Sequence, residues 1–174
     1  MSPPTIHVSR RPGRRWQGLM RAGGFTVPVA LGRAGVRANK REGDGGTPAG
    51  QFHLLRLWWR ADRLSRPASR LPARRIGRSD AWCEDPSDRR YNQFFRRSAV
   101  EPGDRLWRDD GLYDIFVEID HNTRPRVAGR GSAVFIHVAR LGFAPTAGCI
   151  ALRRHDLLQL LRRIGPKSRI IIHY

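Results

Sequence analysis

Two side chains in this sequence have the types and spacing for nucleophilic chemistry: His137, ending the apolar run "AVFIH", and Cys149, twelve residues later in "GFAPTAGC". A thiol attacks only as the thiolate, so a catalytic cysteine needs a base or cation beside it and an opening to substrate. An extended apolar strand gives His137 a rigid mount, and the small-residue turn before Cys149 can bring the thiol back toward the imidazole. Gly148 lets the backbone approach a substrate closely. Backbone N–H groups of this turn, at Ala147, Gly148 and Cys149, suit an oxyanion hole for acyl transfer. The same spacing also fits a cysteine buried as a small apolar residue near an unrelated histidine, because free cysteine is among the most buried residue types. Spacing alone leaves both readings open.

Other candidates carry less chemistry. His137, Cys149, Cys83 and His155 are ligand types without recognisable zinc spacing, so neither a metal nor a cofactor is expected. Cys83 and Cys149 are the only cysteines and form no CxxC pair or disulfide framework. Cys83 reads as structural. "GDGGTPAG" (44–50 with its leading Gly43) lacks the lysine and the strand-to-helix setting of a phosphate-binding loop and reads as a structural turn. "HNTR" at 121–124 follows a strand as a turn, with His121 and Asn122 as minor candidates to line a cleft.

The elements that must position these residues are mostly strands. "TIHVS" (5–9), "FTVPVAL" (25–31), "GQFHLLRLWW" (50–59), "YDIFVEID" (113–120), "SAVFIHVA" (132–139) and "SRIIIHY" (168–174) are rich in β-branched and aromatic residues and bounded by turn formers. Alternation in the third points one of Trp58 and Trp59 into the core and the other under the 60–110 segment. One segment, "RRHDLLQLLRRI", reads as helix. Leu157, Leu158, Leu161 and Ile164 share a face, Asp156 lies in its first turn, Arg162 and Arg163 in its last, and Gly165-Pro166 stops it. The residues after Cys149 are expected to run into this helix. From about 60 to 110 the pattern breaks into Arg, Pro, Ser and Asp with scattered aromatics, and reads as an ordered insertion loop with short helical turns. The fold expected is a mainly β single domain over 1–174, a β-sandwich or curved sheet with one helix near the C-terminus and a long insertion.

At 174 residues the chain can bury a sizeable core without metal or disulfides. No stretch has the length of apolar sequence that a membrane-spanning helix needs. The net charge is +18, from 33 Lys and Arg against 15 Asp and Glu, and only Lys40 and Lys167 are lysines. Such a field attracts polyanions. The arginines are spread from Arg10 to Arg169 rather than gathered in a tail, and no helix-turn-helix, RNA-recognition or zinc-finger pattern accompanies them, which argues against a nucleic-acid partner. The N-terminal residues show no apolar run followed by small residues, so the sequence as written is expected to be cytoplasmic, or periplasmic if exported by another route.

The run "SAVFIHVARLGFAPTAGCIAL" resembles the signature of the YkuD-type L,D-transpeptidase catalytic domain, a strand ending in His, a variable stretch, then Ser/Thr-x-Gly-Cys. "KREGDGGTPAGQF" (40–52) is similar to the family's Lys-Gly-Asp-Thr-Pro-Gly turn, and "WCEDPSDRRYN" (82–92) to an insertion that ends in Tyr-Asn in a short-chain branch. The resemblance implies that Cys149 forms a thioester with a peptide acyl group and that His137 carries its proton, the imidazole being oriented by a backbone carbonyl. It implies backbone N–H groups at Gly148 and its neighbours for the oxyanion and Thr146 in the Ser/Thr position, toward substrate. The implied partners are peptidoglycan stem peptides or muropeptides. Resolution of the thioester by an amine makes an L,D-transpeptidase, and by water an L,D-carboxypeptidase trimming recycled muropeptides. Two positions depart from the pattern: Ala147 stands where many members have His, and Ala151 where they have an Arg for the substrate carboxylate. Arg140 is the nearby cation to replace it.

Overall fold

The computed structural model describes residues 4–174. Among them β1 (Thr5–Arg10), β2 (Gln17–Ala22) and β3 (Phe25–Ala30) form an antiparallel meander. β4 (Val36–Arg37) and β5 (Thr47–Pro48) pair as a small parallel ribbon, followed by the ten-residue β6 (Gly50–Trp59). β7 (Ala73–Arg75) adds to the end of β6, while β8 (Asp80–Trp82), β9 (Phe94–Arg96) and β10 (Asp104–Arg105) make a separate three-stranded antiparallel sheet. β11 (Ile115–Ile119), β12 (Phe135–Val138), β13 (Ile150–Leu152), the helix α1 (Arg154–Arg163) and β14 (Arg169–Ile172) complete the chain.

The main sheet runs β11-β12-β13-β3-β2-β1-β14-β6-β7, and β6 also pairs with β11, so the sheet closes on itself. β6 is long enough to serve both sides: Gly50–His53 meet β14, and Leu54–Trp59 meet β11. The fold is mainly β, as the β-branched and aromatic runs imply. No helix among the described residues is long and apolar enough to cross a membrane.

Alternation along the strands separates two cores. Leu54 and Leu57 of β6, Ile115, Val117 and Ile119 of β11, Ile136 of β12, and Ile150 and Leu152 of β13 face an aliphatic core shared with Leu157, Leu160 and Leu161 of α1. The residues between them, Trp58, Phe116, Phe135 and Cys149, face an aromatic cluster with Trp82 and Leu106 from the insertion and Tyr113 just before β11. Phe116 stacks on Trp58 at 5.6 Å between centroids and lies 4.5 Å from Phe135. Burying rings of this size contributes about 1.5–3 kcal/mol each. The helix thus supports one face of the sheet and the insertion covers the other, with Cys149 under the insertion.

Two expectations change. The 60–110 segment contains β7 to β10 and no helix. Its strands of two or three residues are too short to show a period of two, which hid them from the sequence. β13 lies between Cys149 and α1, so the helix begins beyond that strand and not directly after the turn. Trp58 and Trp59 are both buried. Trp58 packs under the insertion on Trp82 and Phe94, and the Trp59 indole N–H has no partner among the described residues.

Candidate active site

β12 and β13 run parallel with Ile136 opposite Ile150 and His137 opposite Ala151. This register sets Cys149, one residue before β13, beside Phe135, two residues before His137 and on the same face of β12. The Phe135 N–H donates to Cys149 Sγ at 3.3 Å, and the thiol donates to the Ala133 carbonyl at 3.1 Å. Cys149 and His137 are both buried and line one pocket of about 540 Å³. His137 Nδ1 donates to the Val138 carbonyl at 2.8 Å, which fixes the tautomer and leaves Nε2 without a protein partner among the described residues. The Tyr113 ring meets the imidazole edge-on at 5.4 Å, and its hydroxyl donates to Asp104 at 2.7 Å.

Burial dominates the titration of both groups. It pushes the thiol up to about 12 and holds the imidazole down at about 4. Both groups are therefore neutral at rest in the pocket they share. No group of three or more His, Cys, Asp or Glu side chains among the described residues is arranged to hold a metal ion.

The turn before the thiol is braced by Thr146. Its hydroxyl donates to the Cys149 carbonyl at 2.7 Å and accepts the Gly148 N–H at 3.1 Å. Its backbone is bridged to the end of β3: the Thr146 N–H reaches the Leu31 carbonyl at 2.9 Å, and the Arg33 N–H reaches the Thr146 carbonyl at 3.0 Å. Thr146 thus shapes the turn as well as bordering the pocket. The Gly148 N–H expected at the oxyanion is committed to that hydroxyl, whereas the N–H groups of Ala147 and Cys149 have no partner among the described residues. These two are the donors the site offers. Gly148 itself is required by close approach, since a Cβ there would lie 2.8 Å from the Gly46 carbonyl oxygen, and its φ of 151° is one that side chains rarely adopt.

Gly46 belongs to the turn read as structural, and the structure holds it so. Lys40 Nζ pairs with Asp44 at 2.6 Å, Asp44 accepts the Arg41 and Gly46 N–H groups, and the turn lies against the Cys149 loop. Arg140 is exposed at the pocket rim without an ion pair among the described residues, and so is Arg33, which sequence reasoning missed because it becomes adjacent only through the bridge of Gly32 to Thr146. Ala151 is buried against His137 and Ala30, so no cation is held there. Asp104, Glu84 and Glu42 line the opposite wall. His121 and Asn122 do not line the pocket. His121 Nε2 donates to the Arg130 carbonyl, and Asn122 bonds Val127 and Gly131 as a turn brace. Cys83 is buried, and burial raises its thiol as well.

A family model described as the L,D-transpeptidase catalytic domain matches residues 3–172. Among solved structures, an L,D-transpeptidase from Mycobacterium tuberculosis H37Rv is similar at 12% identity and a TM-score of 0.44 over 98% of this chain and 58% of that one. L,D-transpeptidase 3 from the same species, in complex with a faropenem-derived adduct, is similar at 15% identity and a TM-score of 0.45 over 98% of this chain and 61% of that one. This chain therefore spans about three fifths of each. No curated protein matches it.

Proposed function

Because this chain belongs to the family of L,D-transpeptidase catalytic domains, we propose that it is a cysteine acyltransferase acting on peptidoglycan stem tetrapeptides. The observation that carries this is the pairing of a buried thiol with an imidazole in one pocket, the imidazole locked through Nδ1 and open at Nε2.

In this reading the carbonyl before the terminal D-alanine enters the pocket above Sγ. The thiol turns from the Ala133 carbonyl to His137 Nε2, which takes the proton as sulfur attacks. Concerted transfer suits a pair whose groups are both neutral at rest. The oxyanion is met by the N–H groups of Cys149 and Ala147. Collapse of the tetrahedral intermediate breaks the C–N bond, and the D-alanine amine leaves with the proton held by His137. The thioester is then resolved by an amine or by water, with His137 Nε2 accepting the proton of the incoming group. Arg33 and Arg140 at the rim are the cations available to a substrate carboxylate, in place of the one missing at Ala151.

The test is mass spectrometry of the protein with a disaccharide-tetrapeptide, with and without an amine acceptor, beside Cys149→Ser and His137→Ala. The expected result is a thioester on Cys149 and release of D-alanine in wild type only, with exchanged or crosslinked product when an amine is present. Tripeptide alone, even with acceptor, would assign L,D-carboxypeptidase activity and a cytoplasmic role on recycled muropeptides. Equal inertness of wild type and Cys149→Ser would sink the proposal.

A further inference from the structure

We propose that Asn92, in the insertion, is a positioning residue for the Cys149 thiol and acts through the backbone of Ala133. The inference rests on Cys149 being the nucleophile, and it assigns to the insertion a part in that same site.

Asn92 is 4% exposed, and every polar atom of its side chain is used. Its Oδ1 accepts the Trp82 indole N–H at 3.0 Å and the Ala133 N–H at 3.1 Å. Its Nδ2 donates to the carbonyls of His121 at 3.1 Å and Asn122 at 2.9 Å. Two donors on one end and two acceptors on the other leave the amide a single orientation. Its own N–H donates to the Cys83 carbonyl at 2.8 Å, so it is anchored within the insertion as well.

The residue whose N–H it holds is the one whose carbonyl grips the thiol. Ala133 has φ of 52°, a conformation that costs a residue with a side chain about 1 kcal/mol and persists only where surroundings impose it. Asn92 holds the Ala133 N–H, the adjacent Tyr91 hydroxyl accepts the Gly131 N–H at 3.0 Å, and the Ala133 carbonyl then accepts the Cys149 thiol proton. With the Phe135 N–H on the other side of Sγ, the segment 131–135 forms a cradle whose outer wall is Tyr91-Asn92. A polar side chain placed only for stability would serve as well on any other peptide of this loop. This one holds the N–H of the one residue whose carbonyl touches the nucleophile.

Asp104 of β10, Glu84 following β8 and Lys40 between β4 and β5 also bear on Cys149, Tyr113 preceding β11 is coupled to it, and His137 of β12 lines the same pocket. These groups stay in place in each variant below, so a change reports the Ala133 acceptor. The experiment measures alkylation of Cys149 by iodoacetamide between about pH 7 and 9, read peptide by peptide so that Cys83 is scored separately, together with acyl-enzyme formation on the disaccharide-tetrapeptide. In Asn92→Ala the thiol loses its fixed acceptor, and the rate of Cys149 alkylation rises roughly 3- to 10-fold, the equivalent of half to one pH unit in thiolate fraction. Acylation moves the opposite way, with kcat down about 10-fold and KM within about 2-fold, because the sulfur is no longer held for attack. Ala133→Gly, which relaxes the strained φ and keeps the fold, shifts both rates in the same directions and decides the matter if Asn92→Ala does not fold. Trp82→Phe removes one donor to Asn92 but not the Ala133 contact, and its alkylation rate stays at the wild-type value despite its loss of stability. Unchanged alkylation in folded Asn92→Ala and in Ala133→Gly, or an equal rise in Trp82→Phe, overturns the proposal. A wild type that alkylates normally but never forms an acyl-enzyme overturns instead the reading of Cys149 as nucleophile, and the alkylation comparison still decides what Asn92 does.

Discussion

His137 is buried with no carboxylate bonded to it, and the consequence appears on the acid side of both activity and stability. Burial holds its imidazole down at about 4, so the neutral base persists where an ordinary histidine, near 6.5, is protonated. Acyl-enzyme formation is expected to keep most of its rate at about pH 5.5 and to fall only toward pH 4. A limb near 6.5 in the pH–rate profile would contradict this. For stability the sign is set by which state binds more protons. Between about 6.5 and 4 the unfolded chain carries a proton on this residue and the folded chain does not, so stability is fully present above that window and is lost as pH falls through it. His137→Gln should show a shallower drop in denaturant midpoint than wild type between pH 7 and 5. Thr146 gives a second prediction. Thr146→Val removes both bonds that brace the Gly148–Cys149 turn, costing about 1–2 kcal/mol by denaturant unfolding and most of the acylation rate, while Thr146→Ser retains both. His137 and Cys149 were legible in the sequence because imidazole, thiol and glycine advertise their chemistry. Asn92 was not, because a buried amide acquires its role only from the peptide that folding brings to it.

At the scale of elements, strands written in β-branched and aromatic runs were legible and the others were not. β6 falls on "GQFHLLRLWW" with both ends as read, and β11, β12 and β14 lie inside their predicted runs, because alternation or continuous apolar sequence leaves a period that composition can show. α1 was read with Leu158 in its buried face, but Leu160 takes that place and Leu158 is only partly buried, a shift within one apolar stripe. β2, β13 and the strands of the insertion carry no such signal. Their pairing partners decide that they are extended: β2 lies between β1 and β3, and the three-residue β13 pairs with β12 and with Ala30 of β3. The same dependence makes the contact between the 43–48 turn and the Cys149 turn testable. Gly148→Ala drives a methyl against the Gly46 carbonyl in a backbone conformation that penalises any side chain, so it should lower the thermal midpoint and abolish acylation together. An active, stable Gly148→Ala protein would mean that the two turns are not held as closely as described.

The whole molecule carries a charge of +18 that its ion pairs do not neutralise. Among the described residues, carboxylates within ion-pair distance engage Lys40, Arg60, Arg63, Arg90, Arg108 and Arg154, leaving most of the 33 basic side chains without an acidic partner. Part of the arginine is used in another way. Arg60 lies 3.5 Å from the centre of the Trp107 ring, Arg74 3.9 Å from that of Phe94 and Arg90 4.5 Å from that of Phe95, so the insertion's aromatics are capped by guanidinium planes, a role lysine fills less well. The remainder repel one another across the surface, and that repulsion is screened over about 10 Å at 0.1 M salt. Repulsion among unpaired cations outweighs the exposed pairs, each worth only about 0–1 kcal/mol. Raising sodium chloride from about 20 to 300 mM should therefore raise the thermal midpoint by roughly 2–4 °C, the shift that about 1 kcal/mol produces in a chain of this size. A midpoint that fell with salt would show that the pairs around Asp114, Asp88 and Asp110 dominate the balance. The same measurement on Arg33→Gln and Arg140→Gln separates the pocket rim from the rest of the surface. If these two serve the substrate carboxylate, each substitution leaves the salt response nearly unchanged and raises KM for the tetrapeptide, because an exposed rim cation contributes to binding what it does not contribute to folding.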